Sequence, residues 1–169
     1  MRAPRVEPLP PPWLRIATRS PEETRAIGES LGGRAFPGAV ILLEGPLGAG
    51  KTVLARGVAA GLGVESPVTS PSFAILAVHA GRLPFFHLDL YRVNDPAELR
   101  AIDLAEIFGA GGVAVVEWPR WLLEDPPPGA LEVRIRPSGE GERAIELRAR
   151  NARWRERLTD LAGVGGAGA

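Results

Sequence analysis

Cysteine is absent from this 169-residue chain. That excludes a disulfide framework, a thiolate nucleophile and any Cys-ligated zinc or iron–sulfur centre. Net charge is absent too, because Lys+Arg 20 balance Asp+Glu 20, so there is no broad basic footprint for nucleic acid at whole-chain level. No apolar run reaches the roughly 20 residues of a membrane-spanning helix. The opening segment MRAPRVEPLPPPW lacks the apolar stretch of a secretory signal. These absences leave a cytoplasmic enzyme or binding module as the expectation. Lysine is nearly missing: 19 of the 20 basic residues are arginine, and the exception is Lys51. A compact ammonium with three rotatable donors therefore stands alone where a planar guanidinium fills every other cationic position.

What is present describes one globular domain, with 45% hydrophobic and 24% charged residues. Five prolines in the first 12 residues predict a disordered, extended lead-in over 1–12. The domain is expected over 13–162, followed by a disordered Gly/Ala tail over 163–169. Residues 13–18 read as a short strand. Ser20-Pro21-Glu22-Glu23 combines an N-cap hydroxyl, a first-turn proline and a capping-box Glu, predicting a helix over 21–31 that stops at Gly32-Gly33. Residues 39–43 form a continuous apolar run, as in a buried parallel strand, and a helix is predicted over 52–62, closed by Gly63. A Ser/Thr/Pro loop over 64–72 leads to strands over 73–78 and 84–90. Short helices follow, one opening at Asp95 and one over 103–108, then a second buried strand over 113–118. After the triple proline 126–128, residues 131–136 and 143–148 alternate as a half-exposed hairpin, and a final helix covers 152–161.

The strongest motif is Gly45-Pro46-Leu47-Gly48-Ala49-Gly50-Lys51-Thr52, which matches G-x-x-x-x-G-K-[ST] at every fixed position. It leaves a buried strand and opens a helix, the context such a loop requires. Gly45, Gly48 and Gly50 let the backbone curl so that successive N–H groups face phosphate oxygens, and the helix adds its positive end. Lys51 is expected to reach the β- and γ-phosphates and Thr52 to ligate Mg²⁺. Gly45, Gly48, Ala49, Gly50, Lys51, Thr52 and Val53 are the residues of this run predicted to bind the nucleotide. The implied fold class is α/β, a P-loop NTPase-like three-layer fold with a central, mostly parallel sheet and an antiparallel hairpin.

Such a loop needs a second carboxylate on the magnesium side, and two positions offer one. Asp89 ends an alternating strand that puts Phe86, Leu88 and Leu90 on one face and His87 and Asp89 on the other. Glu117 follows four apolar residues in the next buried strand. The bland alternative for each is a surface carboxylate just beyond its strand. His87 reads as a packed or hydrogen-bonded histidine. Thr69, Ser70 and Ser72 lie where a switch loop would sense the γ-phosphate, or are ordinary loop polarity. Trp118 and Trp121 can stack on a base, dock a partner or pack. Arg148, Arg150, Arg153, Arg155 and Arg157 read as a solvated helix face, with RNA or an acidic partner as the alternative.

Taken in order, the loop, Ser70-Pro71-Ser72-Phe73, His87-Leu88-Asp89-Leu90-Tyr91-Arg92 and Glu117-Trp118-Pro119 give a chain that resembles the TsaE family over about residues 20–150. The resemblance implies a Mg²⁺-dependent ATPase that joins TsaB and TsaD in making threonylcarbamoyladenosine in tRNA, meeting tRNA through that complex. It places Thr52 and Glu117 on the Mg²⁺ side, makes Asp89 an essential acidic position and Ser72 a switch-loop hydroxyl, and sets the nucleotide base near Pro21. Lys51, Asp89 and Glu117 are the expected catalytic groups, with Thr52, Asp89 and Glu117 toward the metal. Pro46 stands where that family usually has an acidic residue. Two other readings fit the same loop: a small-molecule or nucleotide kinase, and a non-catalytic module whose nucleotide stabilises the fold.

Overall fold

The computed structural model describes residues 6–8, 13–71 and 74–164. Strand β1 is Val6–Pro8 and β2 is Trp13–Thr18, followed by helix α1, Pro21–Arg34. Strand β3 (Val40–Glu44) runs into α2 (Lys51–Gly61). Next come β4 (Leu76–His79), β5 (Phe85–Asp89), a 3₁₀ turn (Pro96–Ala101) and α3 (Leu104–Gly109). Strand β6 (Val113–Glu117) leads through a second 3₁₀ turn (Arg120–Leu123) to β7 (Ala130–Gly139), β8 (Glu142–Ala149) and α4 (Ala152–Val164).

All the strands join one sheet in the order β1-β2-β8-β7-β3-β6-β5-β4. The four central strands, β7-β3-β6-β5, are mutually parallel, and antiparallel pairs flank them on both sides. Alternation along the strands divides the core between the two faces. Ile41, Leu43, Phe85, Val113 and Val115 meet α1, α2 and α4. Val40, Leu42, Leu88, Ala114 and Val116 meet the short helices around Leu104, Ile107 and Leu122. The result is the three-layer α/β arrangement with a parallel centre that the sequence implied.

Three details depart from the sequence reading, each for a packing reason. Helix α1 does not stop at Gly32-Gly33 but continues to Arg34, where the Ala35 amide donates to the Gly32 carbonyl. Gly32 is there for contact: a Cβ on it would fall 2.2 Å from the Val58 carbonyl oxygen of α2, and the same holds for Gly28 against Leu54. The start of β7 is not half-exposed, since Ala130, Leu131, Glu132 and Val133 are all buried in a strand flanked by β3 and β8. Buried Glu132 is held by Arg150, whose Nε and Nη2 donate to Oε1 at 2.9 and 2.8 Å. Finally, Val6–Pro8 pairs with β2 as an edge strand inside the segment expected to be an unstructured lead-in. The strand is three residues long and its proline sits at the sheet edge, where a missing N–H costs nothing. The rest of that lead-in and residues 165–169 of the tail lie outside the described residues.

Candidate functional site

The glycines of the loop after β3 have separate local reasons. A Cβ at Gly45 would sit 2.4 Å from the Ile135 carbonyl oxygen of β7, whereas Gly48 and Gly50 adopt φ of +76° and +107°, values side chains resist. Helix α2 then begins at Lys51 with no side-chain cap on its first turn. Its leading N–H groups, together with the positive end of the helix dipole, are thus available to an anion. Ala49 is buried inside the loop. Its amide donates to the Pro46 carbonyl at 3.1 Å and its carbonyl accepts from Arg143 Nε at 3.0 Å.

Lys51 is only 5% exposed. Its ammonium donates to the carbonyls of Gly45 and Pro46 at 2.7 and 2.9 Å and lies 4.0 Å from the centre of the Trp118 ring. Burial holds its pKa below the usual lysine value, with Glu117 and Asp89 pulling the other way. Trp118 in turn packs on Tyr91, their ring centres 4.9 Å apart. At φ of +57° it is the one non-glycine residue with positive φ among the described residues.

Parallel register brings both predicted carboxylates to the same edge of the sheet, with Asp89 of β5 opposite Glu117 of β6. The Thr52 hydroxyl donates to Glu117 Oε1 at 3.0 Å. Glu117 Oε2 lies 2.6 Å from His87 Nε2, and both residues are buried. His87 Nδ1 has no partner, so the tautomer with the proton on Nε2, donating to the carboxylate, leaves no buried N–H unpaired. Asp89 accepts from Ser70 Oγ at 3.1 Å and from the Tyr91 amide at 3.0 Å.

These groups wall a cavity of about 480 Å³, lined by Gly48, Gly50, Lys51, Thr52, Val53, Asp89 and Glu117 among the predicted residues. Gly45 and Ala49 shape the loop without lining that cavity. Pro21 is exposed at the first position of α1 and also lies off its lining, although Thr24 of the same helix approaches Gly50. Ser72 lies outside the described residues. Leu47, Ser70, Tyr91, Arg92 and Trp118 complete the wall. Arg92, the last residue of the His87–Arg92 motif, was not among the predicted site residues; its signal was its place three residues after Asp89. Nothing local in the sequence marks Arg143, which comes from β8 to brace the loop. Trp121 packs against the second core cluster. The five arginines near the C-terminus are occupied within the chain: Arg148 over Trp13, Arg150 on Glu132, Arg153 and Arg157 over Phe36, and Arg155 on the Asn151 carbonyl.

One hydroxyl and two carboxylates are hard oxygen donors, and a magnesium ion with phosphate and water oxygens fits that set. Thr52 and Glu117, already 3.0 Å apart, would hold it. A strand, a glycine-turned loop and a helix opening on Lys51, set in a sheet with a parallel centre, define a phosphate-loop protein of the α/β class. The family model described as "Threonylcarbamoyl adenosine biosynthesis protein TsaE" matches residues 18–145. The chain belongs to the TsaE family. It is 41% identical over 142 residues to the tRNA threonylcarbamoyladenosine biosynthesis protein TsaE of Bacillus subtilis, covering 83% of this chain and 89% of that one. The protein of the same name in Treponema pallidum is 35% identical over 134 residues, covering 79% and 99%. The crystal structure of Bacillus subtilis YdiB superposes with a TM-score of 0.77 at 35% identity, covering 94% of this chain and 97% of that one.

Proposed function

We propose that this chain is a Mg²⁺-dependent ATP hydrolase of tRNA threonylcarbamoyladenosine biosynthesis, slow alone and accelerated by TsaB and TsaD. The observation that carries this reading is the convergence of Lys51, Thr52, Asp89 and Glu117 on one cavity at the mouth of the phosphate loop. ATP as the nucleotide, the two partners and contact with tRNA through their complex follow from family membership.

The loop amides and the first turn of α2 bind phosphate oxygens. Lys51 exchanges its two carbonyl acceptors for those oxygens, which also relieves the cost of burying its charge. Thr52 and Glu117 would hold a magnesium ion, which would supply positive charge beside the phosphates. Glu117, fixed between Thr52 and His87, is held directed at the metal side. Asp89, tied to Ser70 of the preceding loop, orients the attacking water and senses the position of that loop. Arg92 adds a cation to the wall where charge builds up.

Steady-state phosphate release with and without the TsaB–TsaD pair tests the reading. Slow release that rises with the partners supports it, and equal turnover in both conditions refutes it. Phosphorylated product from a metabolite panel would instead identify a kinase.

A further inference from the structure

A second cavity, of about 590 Å³, opens on the other side of the phosphate loop. Pro46, Trp118, Pro119 and Pro137 line it, together with Arg120 and Arg136. Both arginines are exposed, and neither guanidinium makes a hydrogen bond or ion pair among the described residues. The carboxylate in this wall, Glu44, is already matched by Arg134 at 2.7 Å. The groove therefore combines two uncompensated guanidiniums with a proline and tryptophan lining.

That chemistry selects its occupant. Proline and aromatic surfaces accept extended, polyproline-like backbone, and guanidiniums pair with carboxylates in a fork geometry. Nucleic acid is disfavoured, because two arginines neutralise about two phosphates in a chain of zero net charge. We propose that this cavity docks an extended acidic segment of a protein partner, and that its occupancy is coupled to the nucleotide site. The coupling runs through two shared groups. The Pro46 carbonyl accepts from Lys51 Nζ, and the Trp118 ring lies against the same ammonium. Trp118 also holds a strained backbone angle, so pressure on it from either cavity is felt in the other. The coupling half rests on reading the first cavity as the nucleotide site.

The test is fluorescence anisotropy of a labelled peptide of alternating Glu and Pro titrated into the full chain, with a Lys–Pro peptide and an oligouridylate beside it. Saturable binding of the acidic peptide, weakened tenfold or more in the R120E/R136E variant and kept in R25E, is the expected result. No binding to the wild-type chain, equal binding by R120E/R136E, or preference for oligouridylate overturns the docking site. An unchanged melting temperature confirms that R120E/R136E folds, and R120Q/R136Q replaces it otherwise. Coupling predicts that peptide and a fluorescent ATP analogue shift each other's affinity by the same factor, about fivefold or more. Unchanged affinities overturn the coupling alone, whereas peptide binding by a chain that binds no nucleotide overturns the nucleotide reading and leaves the docking site standing.

Discussion

Replacing His87 with leucine tests whether Glu117 is a buried charge kept in place by named partners. Glu117 is 3% exposed and His87 fully buried, with 2.6 Å between Oε2 and Nε2. Without the imidazole, Oε2 loses its donor, while Oε1 keeps the Thr52 hydroxyl. Leaving a buried acceptor without its donor costs about 1–3 kcal/mol, and more when the acceptor is charged. The cavity mouth and the nearby Lys51 ammonium soften that, so the expected loss is about 1–3 kcal/mol, and the near-equal volume of leucine adds under about 1 kcal/mol. The double variant H87L/E117L removes both partners and should be more stable than H87L by about 2 kcal/mol. Urea unfolding followed by tryptophan fluorescence reads this directly, since 2 kcal/mol moves the midpoint by about 1 M. Buried Trp154 reports the loss of packing. Single losses that simply add in the double variant, within about 0.5 kcal/mol, would refute the reasoning.

Four other outcomes follow from the same geometry. Lys51→Met should abolish the melting-temperature rise given by ATP and Mg²⁺, and a preserved rise would contradict phosphate binding by Lys51. Because burial lowers the folded-state pKa of Lys51 below 10.5, the unfolded chain binds that proton more tightly. Wild-type stability relative to Lys51→Met should therefore rise with pH between the lowered value and 10.5, as read from urea midpoints. Gly32→Ala should cost about 3 kcal/mol by forcing a Cβ into the Val58 carbonyl. Gly33→Ala, with nothing within 4 Å, should instead stabilise α1 by about 0.5–1 kcal/mol in thermal melts. Asp89→Asn should cut partner-stimulated phosphate release by about 10²-fold while nucleotide affinity stays within about threefold, measured by stopped assay and anisotropy.

Much of the fold was legible because its signals are local. The Ser20 cap, Pro21 and Glu23 set the start of α1, and the Ser20 hydroxyl accepts from the Glu23 amide at 3.1 Å. Period-2 alternation in β5 correctly assigned His87 and Leu88 to opposite faces. Less legible was anything that depends on a distant neighbour. Gly32-Gly33 has the composition of a helix stop, and only the closeness of α2 shows that the glycine serves contact.

The phosphate loop was written in eight consecutive residues, because turning a chain by positive φ and starting a helix are decisions made within a few bonds. Which carboxylate meets Thr52 was not, since Asp89 and Glu117 share the same pattern of an acid at the end of an apolar strand. Sheet order settled it by setting β6 beside β3 and so placing Glu117 within 3.0 Å of the Thr52 hydroxyl. Strand order is a property of the assembled core, where long-range pairing decides which strand ends become neighbours, and no stretch of sequence carries it alone.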